Sequence, residues 1–208
     1  GTNTRKRREY FAIDDPLSSS STIDEFSRLE RRLTMGMAAL WNRRPMFRPT
    51  RTRRSSLVGG LIGLPERFLG VSGDASDRLY QAALSHAGAH LAFSGSPFPV
   101  GKLKPLQIVL VSLIEDARVE QLAMRQMPGL GRLWRPYHVA QASGQSTAAD
   151  LLARLSRALI DPSYRDDHGW IEKGRLLFAD AMPDWHDPEI SRRIGGLLGN
   201  DIGQMRLQ

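Results

Sequence analysis

The chain has 208 residues, of which 41% are hydrophobic and 25% are charged, so it is long and apolar enough to bury a core without disulfides. It contains no cysteine, which excludes thiol catalysis, iron–sulfur clusters and Cys-ligated zinc. No apolar run reaches the ~18 residues of a membrane span, and no N-terminal secretion signal is recognisable, so we expect a cytoplasmic protein. Because the sequence begins at Gly1 rather than Met, we expect it to be a piece of a longer chain.

The formal net charge of +7 is concentrated at the N-terminal end. Residues 1–54 hold 13 basic and 6 acidic residues, a difference of +7, whereas residues 55–208 hold 16 of each. This asymmetry predicts contact with an acidic partner, and a solvated arm is one alternative. A nucleic-acid-binding module is less favoured, because Phe47 is the one aromatic residue within the arginine cluster of residues 43–54. The candidate contact residues are Arg43, Arg44, Arg48, Arg51, Arg53 and Arg54.

The N-terminal quarter contains one helix signal and one weak strand signal. Thr22 and Glu25 have the spacing of a capping box, and the apolar spacing after them predicts a helix to about Trp41. Residues 43–56 have the composition of a basic linker. The apolar, glycine-containing segment that follows predicts at most a small strand element near residues 57–69.

The rest of the chain carries helical periodicity interrupted by capping residues, prolines and glycines. The predicted helices cover residues 74–93, 106–127, 147–161, 170–182 and 187–199. We therefore predict a mainly α fold, with a basic N-terminal arm containing one helix at residues 1–56 and a helical body at residues 57–208.

Two histidines and a charged segment are the candidates for chemistry. His86 and His90 lie one turn apart on one face of a predicted helix. The same face carries apolar residues, so we expect both histidines to point towards the core. Glu115 follows an apolar stretch of the longest helix, where a carboxylate needs a partner or a metal. Two imidazoles and one carboxylate suit Zn²⁺ or Fe²⁺ with an open fourth position. The pattern predicts a metal site of His86, His90 and Glu115. Asp116 or Glu120 would contact one of these ligands, not the metal, and fix its orientation.

The histidine spacing resembles that of zinc peptidases, whose helix reads His-Glu-x-x-His, so a zincin-like helix arrangement is one expectation for the fold. Position 87 is Ala where those enzymes have their general base, so we predict no enzymatic activity. Three alternatives remain open: a metal site or its remnant, an active metal-dependent hydrolase, and a metal-free polar network in which Arg118 pairs with Glu115 or Asp116. The chain also lacks the Gly-x-x-x-x-Gly-Lys-Ser/Thr loop that ATP hydrolysis of the P-loop type requires.

Several segments together resemble the NorD/CbbO family of nitric oxide reductase and Rubisco activation proteins. The segments are Leu64–Phe68, His86–Leu91, Leu113–Glu120 (LIEDARVE), Ala158–Pro162, Tyr164–Asp167 and Leu198–Gln208. The resemblance covers roughly residues 57–208, and its most specific parts are Glu115–Glu120 (EDARVE) and the C-terminal run.

The resemblance implies a chaperone-like adaptor of a hexameric MoxR-type AAA+ ATPase that helps to activate, remodel or metallate a target enzyme of the nitric oxide reductase or Rubisco type. It implies that ATP is bound only by the partner. The residues themselves, apart from the resemblance, predict no catalytic residue, and the one possible cofactor they indicate is a Zn or Fe ion at the histidines. The resemblance also implies that this chain is the N-terminal helical portion and that the family's von Willebrand A domain lies outside it.

Overall fold

The computed structural model describes residues 73–95, 98–99, 101–142 and 147–205, the backbone of three strands between residues 46 and 65, and helical positions 28, 31, 34, 35, 38 and 39. Those six positions fall inside the helix predicted from Thr22 to about Trp41. The remainder of that helix, and the rest of the predicted arm apart from the strands, lies outside the described residues. The fold is mainly α, as predicted.

Three short strands form one small sheet. They are β1 (Met46–Thr50), β2 (Ser56–Val58) and β3 (Leu61–Pro65), in the order β1-β3-β2. β3 pairs in parallel with β1, with Met46 opposite Leu61, and antiparallel with β2. Apart from its first residue, Ser56, β2 falls within the predicted strand region, as does β3, but β1 lies inside the predicted linker 43–56. Its pairing partner is 15 residues further along the chain, and a non-local pairing of this kind leaves little trace in local sequence.

Six helices follow the sheet. They are α1 (Asp74–Phe93), α2 (Pro105–Gln126), α3 (Gly129–Trp134), α4 (Ala148–Ile160), α5 (Gly169–Asp180) and α6 (Glu189–Gln204). Their starts follow the predicted signals: Pro105 is the first residue of α2, and Thr147 Oγ1 accepts a hydrogen bond from the Asp150 amide at the start of α4. None of the helices in the described ranges has an apolar stretch long enough to cross a membrane.

The last helix is longer than predicted, because its glycines allow close packing against α2 and do not end the helix. We expected it to stop at residue 199, yet it continues to Gln204. A Cβ atom at Gly195 would lie 2.6 Å from the backbone nitrogen of Val111, and one at Gly199 would lie 2.6 Å from Cγ of Gln107. The two glycines therefore allow α6 to approach α2 more closely than side chains would permit.

Helix α2 lies between two apolar clusters. The larger cluster joins it to α4, α5 and α6, and the smaller joins it to α1 and α3. Indole N–H groups tie the larger cluster together, since Trp170 Nε1 donates to the Leu198 carbonyl (3.1 Å) and Trp185 Nε1 to the Phe178 carbonyl (3.0 Å). The charged residues 115–120 of α2 are thus held at the junction of the two clusters.

Candidate metal centre

Helices α1 and α2 present two pairs of side chains to each other. His86 and His90 are four residues apart on α1, and Asp116 and Glu120 are four residues apart on α2. Because residues at this spacing share one helix face, the imidazoles meet the carboxylates across the contact between the helices. The two imidazole rings lie 4.8 Å apart between centroids, in an edge-to-face arrangement.

The distances show how the four groups are paired. Nδ1 of His86 lies 2.9 Å from Oε1 of Glu120, and Nε2 of His90 lies 2.9 Å from Oδ1 of Asp116. Nε2 of His86 lies 3.6 Å from the same Asp116 oxygen. One ligand atom from each of His86, His90 and Asp116 falls within 4.8 Å of the others, which is the spacing of side chains that can share a metal ion.

The centre is closed on one side and open on the other. The Asp116 side chain is 50% exposed, whereas that of Glu120 is only 7% exposed. Behind His86 the indole of Trp134 packs edge-on at 6.2 Å between centroids. A ligand would therefore reach the centre from the Asp116 side.

The charges of the centre depend on one another. Burial by itself would lower the pKa of His86, but its hydrogen bonds and charge interactions with Asp116 and Glu120 prevail and raise that pKa to about 10. Burial would raise the pKa of Asp116, but hydrogen bonds to His86 and His90 hold it well below its usual range. This part of the surface therefore favours a positive charge between Asp116 and the imidazoles.

Glu115 belongs to a separate, buried ion pair. Its two carboxylate oxygens accept hydrogen bonds from Arg118, from Nε at 2.7 Å and from Nη2 at 2.6 Å. The hydroxyls of Ser94 and Ser191 donate to the same oxygens at 2.6 and 2.7 Å. Burial would raise the pKa of Glu115, but these donors outweigh it and lower the pKa, so the carboxylate is ionised.

Arg118 is fully buried, and each of its three guanidinium nitrogens donates a hydrogen bond. Besides Glu115 it donates from Nη1 to the Trp185 carbonyl (2.7 Å) and from Nη2 to the Phe93 carbonyl (2.8 Å). A guanidinium at 0% exposure needs such partners, because an uncompensated buried charge is strongly destabilising.

The structure thus brings together His86, His90 and Asp116, and not the set of His86, His90 and Glu115 that the sequence predicted. Glu115 forms the pair with Arg118 that the metal-free alternative expected. Glu120 contacts Nδ1 of His86, so it stays a prediction that it orients a metal ligand, whereas Asp116 lies within the group of possible ligand atoms itself. Whether a metal binds, and whether the arrangement is zincin-like, stay predictions.

Three further side chains of the site were missed by the sequence reasoning. Ser94 lies just after α1, where its Oγ is 2.9 Å from Nδ1 of His90, and Ser191 comes from α6, 76 residues after Glu115. His138 lies with Nε2 3.9 Å from Oε2 of Glu120, and burial chiefly lowers its pKa. Ser94 lies four residues after His90, a spacing that brings the two side chains together at a helix end and can be recognised from the sequence. No local feature of the sequence indicates Ser191.

The arginines predicted to contact a partner are not placed by side chain. Arg48 belongs to β1, of which the backbone alone is described. The remaining five, Arg43, Arg44, Arg51, Arg53 and Arg54, lie outside the described residues.

Comparison of the chain with protein-family models, with curated proteins and with solved structures gave no match. The resemblance to the NorD/CbbO family therefore stays a prediction from the sequence.

Proposed function

We propose that this chain is a cytoplasmic accessory protein of a MoxR-type AAA+ ATPase, acting as an adaptor through which the ATPase activates, remodels or metallates a target enzyme of the nitric oxide reductase or Rubisco type. The observation that carries the proposal is the position of Leu113–Glu120 (LIEDARVE). This segment contains the most specific internal part of the resemblance to the NorD/CbbO family. Glu115, Asp116, Arg118 and Glu120 of this segment supply every carboxylate and the guanidinium of the two polar clusters between the helices.

Other segments of the resemblance meet this one in the fold. His86 and His90 contact Asp116 and Glu120, and the C-terminal run begins on α6 at Leu198, in the apolar cluster that includes α2. Segments that are far apart in sequence but together in the structure are what a shared fold would preserve. This supports a common architecture, and with it a common role.

An adaptor fits the chemistry of the site better than a hydrolase does. Position 87 holds a buried Ala where a zinc peptidase has its general base. The nearby carboxylate of Glu115 is occupied by four hydrogen bonds and is not free to take a proton. The same site therefore favours binding over catalysis.

The basic N-terminal segment is the proposed contact with the ATPase or the target, since it carries the whole net charge. Nucleic acid is the less favoured partner of this segment. Binding that falls steeply with salt and extends to any duplex would favour it.

The test is co-purification of the complete protein with a MoxR-type ATPase from the same organism, with and without ATP, together with the ATPase rate. We expect nucleotide-dependent association and a changed rate. Replacing Arg53 and Arg54 by Glu should weaken association, whereas the same charge change at the exposed Arg132 and Arg193 of the helical body should not. No association of the complete protein in either nucleotide state would refute the proposal.

A further inference from the structure

We propose that His86, His90 and Asp116 form a binding site for a first-row divalent metal ion, with His86 Nε2, His90 Nε2 and Asp116 Oδ1 as its ligands and a fourth position open to solvent. The inference does not depend on the ATPase partnership, because it follows from the hydrogen-bond donors and acceptors around the two imidazoles.

The first step concerns the orientation of His90. The hydroxyl of Ser94 has one hydrogen, and it lies 2.6 Å from the ionised carboxylate of Glu115, which can only accept. Ser94 must therefore donate to Glu115. Its oxygen accepts from Nδ1 of His90 at 2.9 Å, which makes Nδ1 the protonated nitrogen of that ring. In the neutral imidazole, Nε2 then carries a lone pair.

The second step gives the same orientation to His86. Its Nδ1 lies 2.9 Å from Oε1 of Glu120, so this nitrogen donates to the carboxylate, and in the neutral imidazole Nε2 is again the one that carries the lone pair. Histidines that bind a metal almost always donate their other ring N–H to a carboxylate or another oxygen, which fixes the tautomer and the ring orientation. Both histidines of this site have that arrangement.

The third step is that the two Nε2 atoms point at one oxygen. They lie 2.9 and 3.6 Å from Oδ1 of Asp116. When both imidazoles are neutral, as metal binding requires, all three atoms offer lone pairs and repel one another unless a cation lies between them; without a metal, that cation is the proton retained by His86. A proton could join one imidazole to Asp116, but 3.6 Å is too long for a second hydrogen bond. A metal ion joins all three, since ligands about 2.0–2.2 Å from zinc lie roughly 3.3 Å apart in a tetrahedron.

The exposure of the site suits an exchangeable ion. Three protein ligands leave a fourth tetrahedral position, and within the described part of the chain no further His, Asp or Glu joins the group. The half-exposed Asp116 places that position towards solvent, where water or a small anion would complete the coordination. Nitrogen and oxygen ligands of this kind suit zinc, iron and cobalt.

The test uses the purified chain, stripped with chelator and titrated at neutral pH with Zn²⁺ by calorimetry and with Co²⁺ by visible absorption. We expect one saturable site per chain, a visible band typical of four-coordinate Co²⁺, and a rise in melting temperature on adding Zn²⁺. Asp116→Asn, whose side chain is half exposed and so replaceable without unfolding, should abolish saturable binding and the Co²⁺ band.

Two further variants separate this site from adventitious binding. Glu120→Gln should weaken Zn²⁺ binding by about 10- to 100-fold, because the carboxylate that orients His86 is lost. His186→Ala removes an exposed histidine away from the centre and should bind Zn²⁺ like the wild type. Circular dichroism establishes that each variant is folded. Absence of saturable Zn²⁺ binding by the wild type, or equal binding by a folded Asp116→Asn variant, would overturn the proposal.

Discussion

Removal of the Glu115 carboxylate tests whether the buried ion pair holds α2 in place. The substitution Glu115→Ala leaves the guanidinium of Arg118, which is 0% exposed, without its anion. It also leaves the hydroxyls of Ser94 and Ser191 without the acceptor they share. Breaking a buried pair by removing one partner costs about 3–5 kcal/mol, which is a large share of the roughly 5–15 kcal/mol that stabilises a domain.

The chain contains a matched control for this substitution. Glu172 and Arg175 on α5 have the same residue types, the same i,i+3 spacing and the same two-pronged hydrogen bonding, at 3.1 and 2.5 Å. Their side chains are 32% and 35% exposed, so water already solvates both charges. Glu172→Ala should therefore cost only about 0.3–0.5 kcal/mol. The difference between the two variants measures what burial and the two serine hydrogen bonds add, because the geometry of the Glu–Arg pair itself is alike.

The measurement is urea unfolding followed by circular dichroism, with the slope of the transition checked for constancy. We expect Glu115→Ala to lower the free energy of unfolding by about 3–5 kcal/mol and Glu172→Ala to leave it almost unchanged. In a parallel thermal scan, Glu115→Ala should lower the melting temperature by roughly 10 °C or more for a chain of this size. Replacing both partners, as Glu115→Leu with Arg118→Met, should recover part of the loss because no lone charge stays buried. Losses for the two alanine variants that agree within about 0.5 kcal/mol would refute the reasoning.

Three further predictions concern packing, acid stability and turnover. Gly195→Ala should lower the free energy of unfolding by about 1–3 kcal/mol, because the new Cβ would lie 2.6 Å from the Val111 nitrogen, whereas Gly196→Ala, with open space around it, should raise it by up to about 1 kcal/mol. Burial would raise the pKa of Asp166, but hydrogen bonds from Arg154 and others lower it to about 2, so its ion pair stabilises the fold above pH 4 and is lost as the pH falls towards 2. The difference in unfolding free energy between wild type and Asp166→Asn should accordingly shrink, by about 2 kcal/mol, over that interval. The purified chain should hydrolyse neither ATP nor peptides in assays with and without added Zn²⁺.

Each of these predictions has a distinct contradicting result. Equal effects of the two glycine substitutions would mean that α6 and α2 are not in close contact there. A constant difference between wild type and Asp166→Asn from pH 5 to pH 2 would mean that the pair with Arg154 does not form. Peptide turnover by the purified chain that is lost in His86→Ala would favour the hydrolase alternative over the adaptor.

Local signals predicted most of the helices but could not give their rotation. Pro105, Thr147 and the apolar periodicity mark where helices begin and which side faces inward. They do not decide whether Glu115 or Asp116 faces the histidines of α1. Adjacent residues on a helix point about 100° apart, and either of the two could face α1. The crossing of α2 with α1 and α6 makes that choice, and it places Asp116 at the histidines and Glu115 inside.

Glycine was the other source of error, and for a related reason. A glycine near the end of a periodic segment commonly marks a helix stop, which is how Gly199 was interpreted. The same residue is also used where two backbones come close. The presence of Gln107 against Gly199 decides between these uses, and that contact joins residues 92 positions apart. Similarly, the partner of β1 could not be recognised from residues 46–50 alone.

The connections of Arg118 have a consequence for how the chain folds. Its guanidinium reaches the carbonyl of Phe93, at the end of α1, and that of Trp185, just before α6, while Glu115 in turn needs Ser191. Until the segment after residue 180 has docked, Nη1 of Arg118 and the Glu115 oxygen that accepts from Ser191 lack these protein partners and must keep water in their place. Early collapse of the first two helices is therefore penalised, and their final closure is coupled to the arrival of the last. We expect slow, cooperative folding governed by this long-range contact, in place of the stepwise assembly that neighbouring helices usually allow.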